Sequence, residues 1–358
     1  MAEVLVATTW ECNLRCSYCF VQQHRRALVR APMTPATSAQ LVDVLDAGLD
    51  HVETICIHLY GGEPLTNLPA IEAMLSRAAC KPPGRFRFSI TTNGTIVSER
   101  AIDLLQAGRF QVVLSIDGPA EIHDRNRRTL SGAPTHATVL RFLEALRSRT
   151  DCEVRGSAVV SAGWSLSQAT AYLRSLPVEH IKAQAVRGRP VSGHALGPVQ
   201  RQAYLEDLEA IGRQVIIELE NGQEPRDDRF SSRVLQLLTG QERTSFCGAG
   251  RTIFGVAPDG TVLPCVLIDG QEDRLGHISD GRGTWVEAGR RWIASRPARP
   301  ECQLCAALAL CGGGCPAMLP ICGEDECALV RKNCEVATGI FQRFREHPEM
   351  LLALAGIT

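Results

Sequence analysis

The sequence predicts an α/β fold: a partial (β/α)6 barrel followed by a smaller, cysteine-rich domain. Three observations lead there. Short apolar runs alternate with longer amphipathic stretches through the N-terminal half of the chain. Most of those short runs are apolar nearly throughout, as expected of parallel strands covered on both faces. The cysteines are not spread evenly: three lie within Cys12–Cys19 and eight within Cys265–Cys334, with Cys247 just upstream.

The strand candidates are Val4–Thr8, Thr54–Leu59, Phe86–Thr91, Val112–Ile116, Val154–Val160 and His180–Val186. Between them the helical patterns are Ser38–Leu49, Leu68–Ala79, Ser98–Ala107, Ala137–Arg149 and Ser165–Leu176. Six strands are too few for a closed eight-fold TIM-like barrel, so an open one is expected, with its chemistry at the strand C-terminal ends. The loops agree. CNLRCSYC follows the first strand, GGEPL (Gly61–Leu65) the second and TNG (Thr92–Gly94) the third, while SIDGP (Ser115–Pro119) surrounds the end of the fourth. Ordinary turn chemistry accounts for TNG about as well as a site does. A long helix over Gln200–Glu220 closes the core, 1–220. The polar stretch from Asn221 opens a linker, 221–246, before a cysteine-rich domain, 247–345, and a tail, 346–358. Thr252–Ala257 and Thr261–Leu267 flank PDG (Pro258–Gly260), a hairpin signal. Cys334–His347 reads as a short amphipathic helix.

Composition excludes more than it assigns. In 358 residues, 45% are hydrophobic and 22% charged, with a formal net charge of −1, so nothing marks a nucleic-acid or membrane partner. No apolar run approaches the ~20 residues of a bilayer span, and MAEVLVATTWEC lacks the pattern of a secretory signal. A cytoplasmic protein is expected. In a reducing cytosol clustered thiols bind metal more often than they pair, and 15 cysteines in a chain this long do not resemble a small disulfide scaffold.

Cys12-x3-Cys16-x2-Cys19 brings three thiols onto one tight loop. A cubane iron–sulfur cluster takes four cysteines, so three leave one iron open to a reacting molecule. Zinc with a fourth ligand elsewhere is the competing reading. With Tyr18 before the third cysteine and a strand before the first, the loop resembles the radical S-adenosylmethionine superfamily. The resemblance implies a [4Fe-4S] cluster whose open iron chelates S-adenosylmethionine, and reductive cleavage to a 5′-deoxyadenosyl radical. GGEPL resembles that family's second motif, which implies that Gly61, Gly62 and Glu63 hold the cosubstrate's ammonium. Ser115 and Asp117 fall where such enzymes contact the ribose and carboxylate. Asn93 is a weaker candidate, and Arg127 or Arg128 a partner for the methionine carboxylate. His58 reads as a satisfied core histidine.

The second group is Cys247-x12-Gly260-x4-Cys265, then Cys302-x2-Cys305-x5-Cys311-x3-Cys315, then Cys334. It resembles the SPASM domain, a seven-cysteine extension that carries auxiliary iron–sulfur clusters. The resemblance implies an outer cluster on Cys302, Cys305, Cys311 and Cys334. It implies an inner one on Cys247, Cys265 and Cys315, for three [4Fe-4S] clusters in all. Gly312–Gly314 suit a backbone that bends around sulfur and donates N–H to it. Cys322 or Cys327 is available to complete the inner cluster, Cys327 the better candidate. Cys56 reads as a small buried hydrophobe, and Cys80 and Cys152 carry no site signal.

Relatives with this extension mostly modify peptides, and SIDGPAEIHDRNR (Ser115–Arg127) resembles peptide-modifying members, anaerobic sulfatase maturases among them. Those maturases carry an acidic base after the second domain cysteine, where this chain has Val266, with Asp269 three residues on. The expected function is therefore a maturase that forms a thioether, a crosslink or a related modification in a ribosomally made peptide. Formylglycine formation or a small-molecule radical enzyme are the alternatives, and a non-catalytic iron–sulfur carrier is a remote one. Expected partners are a precursor peptide and a flavodoxin- or ferredoxin-type electron donor; with no room for a winged domain before Cys12, either a separate leader-binding protein delivers the precursor or the barrel itself reads a leader. Arg187 and Arg189 would meet an acidic peptide, although a solvated loop accounts for them as well.

Overall fold

The computed structural model describes residues 2–19, 21, 31–50, 52–186, 194–268 and 270–355, apart from the side chains of residues 321 and 322. Arg187, Arg189, Asp269 and the Cys322 side chain lie outside the described residues. The chain divides into two compact units. One comprises 1–116, 123–154 and 248–296, the other 117–122, 155–247 and 297–358.

In the first unit, β1 (Ala2–Thr9), β2 (Ile55–Gly61), β3 (Phe86–Thr92) and β4 (Gln111–Ser115) run parallel in that order. Their register follows from burial: Ile55, Ile57 and Leu59 alternate inward at zero exposure, so a one-residue slip would turn them outward. The intervening strand residues Cys56, His58 and Tyr60 are half-buried, so Cys56 is not the buried hydrophobe expected. The helices α1 (Pro35–Gly48), α2 (Leu68–Ala78), α3 (Glu99–Ala107) and α5 (His136–Arg149) start within three residues of the expected positions. Thr34 and Ser98 cap two of them, accepting from the Thr37 and Ala101 N–H groups. A short helix, α4 (Ala120–Asn126), within the SIDGPAEIHDRNR stretch, was not among the expected helices; its residues 120–122 belong to the second unit. The hairpin of β7 (Ile253–Val256) and β8 (Thr261–Leu263) extends the same sheet, because β7 pairs in parallel with β1. The two-residue β9 (Gly276–His277) follows, then α9 (Arg282–Ala294).

The second unit holds the parallel pair β5 (Val154–Val160) and β6 (His180–Ala185), of which Val154 belongs to the first unit, with α6 (Leu166–Arg174) between them. Ser165 and Gln168 form a capping box at the start of α6. The long helix α7 (Pro198–Glu220) packs against α11 (Leu319–Phe344) so closely that a Cβ on Gly212 would stand 2.3 Å from Val336 Cγ1. The 221–246 stretch, expected as a linker, is ordered. Asp227 and Arg229 are both buried and share two hydrogen bonds of 2.7 and 2.6 Å, and Ser231–Thr239 forms α8. The helix expected over Cys334–His347 begins at Leu319, with a break at Gly323 (φ 55°, ψ −132°). The four-residue α10 (Leu308–Cys311) and α12 (Pro348–Leu354) complete the unit.

Arg85 locks the start of β3 to the end of α1. Its Nε donates to Asp46 Oδ1 at 2.8 Å, its Nη2 to the Asp46 and Leu49 carbonyls, and its Nη1 to that of Val52. Arg85→Ala is expected to cost about 2 kcal/mol in chemical denaturation, since several carbonyls lose a charged donor at once. Arg85, then Lys81, holds the Asp46 carboxyl below its usual range. That contribution is complete at neutral pH and is lost as pH falls through the lowered value. The gap between wild type and variant should therefore narrow below about pH 4.

Candidate functional site

The three-cysteine loop leaves β1 and is docked before any metal is considered. Leu14 is buried and bridges to Thr129, Arg15 N–H donates to the Arg128 carbonyl at 2.8 Å, and Ser17 N–H to that of Asn126 at 3.0 Å. The Ser17 hydroxyl adds a 2.7 Å bond to Asn126 Oδ1. A turn closes Cys16 on Cys19 through a 3.1 Å backbone bond. Tyr18 is buried beneath the Arg127 guanidinium, which lies 5.5 Å from its ring centroid.

GGE stands beside this loop because the backbone leaves no room for side chains. Gly61 sits at φ 120°, and a Cβ on Gly62 would lie 2.0 Å from the Glu11 carbonyl oxygen. Gly62 and Glu63 donate their N–H groups to the Thr9 and Glu11 carbonyls, both at 2.9 Å. Glu63 itself is 1% exposed. Its Oε1 accepts from Thr92 Oγ1 at 2.8 Å and Leu65 N–H at 3.1 Å, and its Oε2 from Asn93 N–H at 2.7 Å. Burial pushes its carboxyl up to about 7, against the pull of these three donors. A carboxylate offers about four acceptor positions, so one remains for a further donor.

Asn93 links this carboxylate to the thiols. Its side-chain amide reaches Cys12 Sγ at 3.7 Å and Asn13 Oδ1 at 2.9 Å, while its own Oδ1 accepts from Thr95. Asn13 returns to Thr95 Oγ1 at 2.8 Å. Sequence reasoning singled out Asn93 but missed Asn13, Thr92 and Thr95; the only signal was their position in strand-end loops. The Cys12 thiol is pushed up to about 12, first by burial and then by Glu63, Cys16 and Cys19, against the Leu14 N–H. Cys16 and Cys19 both act on the Cys12 thiol, so the three sulfurs are neighbours, a donor set suited to a cationic metal centre.

Ser115 ends β4 in the same unit. Asp117, in the other unit, is buried and its Oδ1 accepts from Val159 N–H at 3.0 Å. His58 is satisfied as expected, between the Ser89 and Thr91 hydroxyls at 2.8 Å each. Cys80 is exposed, and Cys152 is buried with its thiol toward the Leu105 carbonyl.

In the second unit Cys302, Cys305, Cys311 and Cys327 line one cavity of about 110 Å³. Gly312, Gly313 and Gly314 all have positive φ (70°, 94° and 89°), and the Gly313 and Gly314 N–H groups act on the Cys311 sulfur. Such a run of left-handed residues points successive N–H groups to one side, a concavity suited to anionic sulfur. Cys327 Sγ accepts from Arg299 Nη2 at 3.1 Å. Cys334 is 2% exposed and accepts from Arg233 Nε at 3.2 Å. Cys327 and Cys334 lie two helical turns apart on α11 and so share a face. Cys247 and Cys315 belong to this unit too. Cys265 belongs to the first unit, in the turn after β8, where its Sγ accepts from Leu267 N–H at 3.4 Å.

This geometry gives a direct expectation for metal content. Cys12→Ala should lower the iron of anaerobically prepared protein by about four atoms per chain. Gly62→Ala, which displaces the Glu11–Cys12 backbone, should lower it comparably. Inductively coupled plasma measurement checks both.

Comparison with known proteins agrees with the site. Residues 7–161 match the model of the Radical SAM superfamily. The cysteine-type anaerobic sulfatase-maturating enzyme of Clostridium perfringens is 25% identical over 324 residues, 85% of either chain. The serine-type enzyme of Klebsiella aerogenes is 24% identical over 340 residues, covering 88% of this chain and 79% of that one. The solved structure of native anSMEcpe with bound AdoMet superposes with a TM-score of 0.77 at 22% identity, over 99% of this chain and 100% of that one. Streptococcus suis SuiB bound to S-adenosylmethionine gives 0.62 at 15%, over 88% of this chain and 73% of that one. These likenesses establish the partial-barrel α/β fold, and they favour iron over zinc at the loop, since the superfamily carries a [4Fe-4S] cluster and S-adenosylmethionine. Over residues 7–161 the chain matches the Radical SAM superfamily, and over most of its length, cysteine-rich C-terminus included, it is similar to SPASM-type radical SAM maturases.

Proposed function

We propose that this chain is a radical SAM/SPASM maturase that forms a crosslink, thioether or carbon–carbon or carbon–oxygen, or a related modification in a ribosomally made peptide. The observation that carries the reading is the Cys12–Asn93–Glu63 chain, which sets a buried carboxylate beside three thiols. It is supported by solved neighbours that hold a peptide, anSMEcpe with the Cp18Cys peptide and SuiB with the precursor peptide SuiA. When bound, the cluster on Cys12, Cys16 and Cys19 with S-adenosylmethionine supplies a radical that takes hydrogen from carbon.

The residues have separable tasks. Backbone groups of Gly61 and Gly62, with the remaining acceptor position of Glu63, take the cosubstrate's ammonium. Asn93 holds both Glu63 and the Cys12 sulfur in register. Ser115 and Asp117 are assigned to its ribose and carboxylate. Tyr18 and Arg127 wall the loop from water, with the Arg127 charge as the carboxylate's counter-ion. Cys302, Cys305, Cys311 and Cys334 hold one auxiliary [4Fe-4S] cluster, and Cys247, Cys265 and Cys315 hold another. Cys327 is a further ligand, three clusters being the expected total. A separate leader-binding protein and a flavodoxin- or ferredoxin-type donor complete the system.

Formylglycine formation in a sulfatase is the second reading, favoured by the end-to-end likeness to two sulfatase-maturating enzymes. Val266 stands where the expected base would be, which weighs against it.

Anaerobic co-expression with a short peptide encoded nearby, and separately with a sulfatase-derived Cys or Ser peptide, separates the two by tandem mass spectrometry. The first peptide should change mass, and Cys12→Ala should abolish the change; a mass shift surviving in that variant removes the radical mechanism. For Glu63, an ammonium binds the ionised carboxylate, so S-adenosylmethionine affinity should weaken as pH falls below about 7. Glu63→Gln should weaken binding about tenfold or more and flatten that pH dependence, read by equilibrium dialysis.

A further inference from the structure

Two arginines converge on the cysteines of the second unit. Arg233, on α8, donates its Nε to Cys334 Sγ at 3.2 Å and its Nη1 to Asn333 Oδ1 at 2.9 Å. Arg243, shortly after α8, donates its Nε to Gln236 Oε1 at 2.9 Å and its Nη1 to the Phe246 carbonyl at 2.6 Å. Among the described residues these bonds end on neutral oxygens and one sulfur, not on carboxylates. Burial, and then the like charge of Arg233, pull the Arg243 guanidinium below its usual range; the sulfurs of Cys247, Cys334 and Cys311 act in the opposite sense. Two mutually repelling cations, half-buried beside sulfur, call for an anionic neighbour larger than one thiolate.

We propose that Arg233 and Arg243 form a cationic clamp that raises the reduction potential of the auxiliary cluster held through Cys311 and Cys334. The inference rests on the auxiliary-cluster reading given above. One-electron reduction of a thiolate-ligated cubane adds one negative charge and no proton. Fixed positive charges and N–H donors to sulfur therefore favour the reduced form more than the oxidised one. The Arg233 N–H acts on a ligand sulfur directly, and Arg243 acts as charge alone. The Gly313 and Gly314 N–H groups on Cys311 add to the same bias. The consequence is that this cluster holds an electron more firmly than it would without the two guanidiniums.

The test is a potentiometric titration of the full, anaerobically reconstituted chain, followed by electron paramagnetic resonance. Arg233→Gln and Arg243→Gln should each move the midpoint of one auxiliary signal to lower potential, with the signal that responds to S-adenosylmethionine unmoved. Arg233→Lys should keep most of the wild-type midpoint. Full iron content with an unchanged midpoint in both glutamine variants overturns the clamp and leaves the cluster assignment standing. A wild-type chain with about four irons and only the S-adenosylmethionine-responsive signal overturns the assignment, and the clamp with it. Should Arg233→Gln lose iron, Arg243→Gln decides, because the Arg243 side-chain bonds described, to Gln236 and Phe246, end on oxygen.

Discussion

The site depends on one buried carboxylate. Glu63 draws Leu65 N–H, Thr92 Oγ1 and Asn93 N–H onto two oxygens, and in doing so pins the end of β2 to the end of β3. Asn93, thus held, reaches back to the sulfur of Cys12. Three loops that are far apart in the chain acquire their relative position from this group. Leaving such a carboxylate buried without those donors would cost several kcal/mol. The glycines before it are then a steric consequence, since the backbone runs against Glu11 too closely for any Cβ.

Much of this was legible in the sequence. The strands β1 to β6 and the helices between them, α4 excepted, follow from apolar periodicity, because each buries a continuous face. The thiol trio, GGE and TNG were readable as strand-end loops. Less legible were partners joined over long separations: nothing near Asn13 announces Thr95, and nothing near Arg85 announces the Val52 carbonyl. The ordering of 221–246 was hidden for the same reason. Asp227 and Arg229 look like surface charges until their mutual pairing is seen.

The C-terminal part was legible as chemistry more than as architecture. Cysteine spacing marked a cluster-binding segment, and the three glycines at 312–314 have the backbone their role requires. The long helix α11 was read short, because Gly323 and the cysteines before Cys334 mask its apolar repeat. The hairpin β7–β8 was readable from PDG, yet its parallel pairing to β1 was not, since parallel partners leave no local trace.

The docking of Leu14, Arg15 and Ser17 onto 126–129 ties the thiol loop to a stretch 109 residues away at the Ser17–Asn126 bond. A change that shifted 126–129 would therefore carry the three sulfurs with it, so the spacing of the trio is governed from a part of the chain that holds no cysteine.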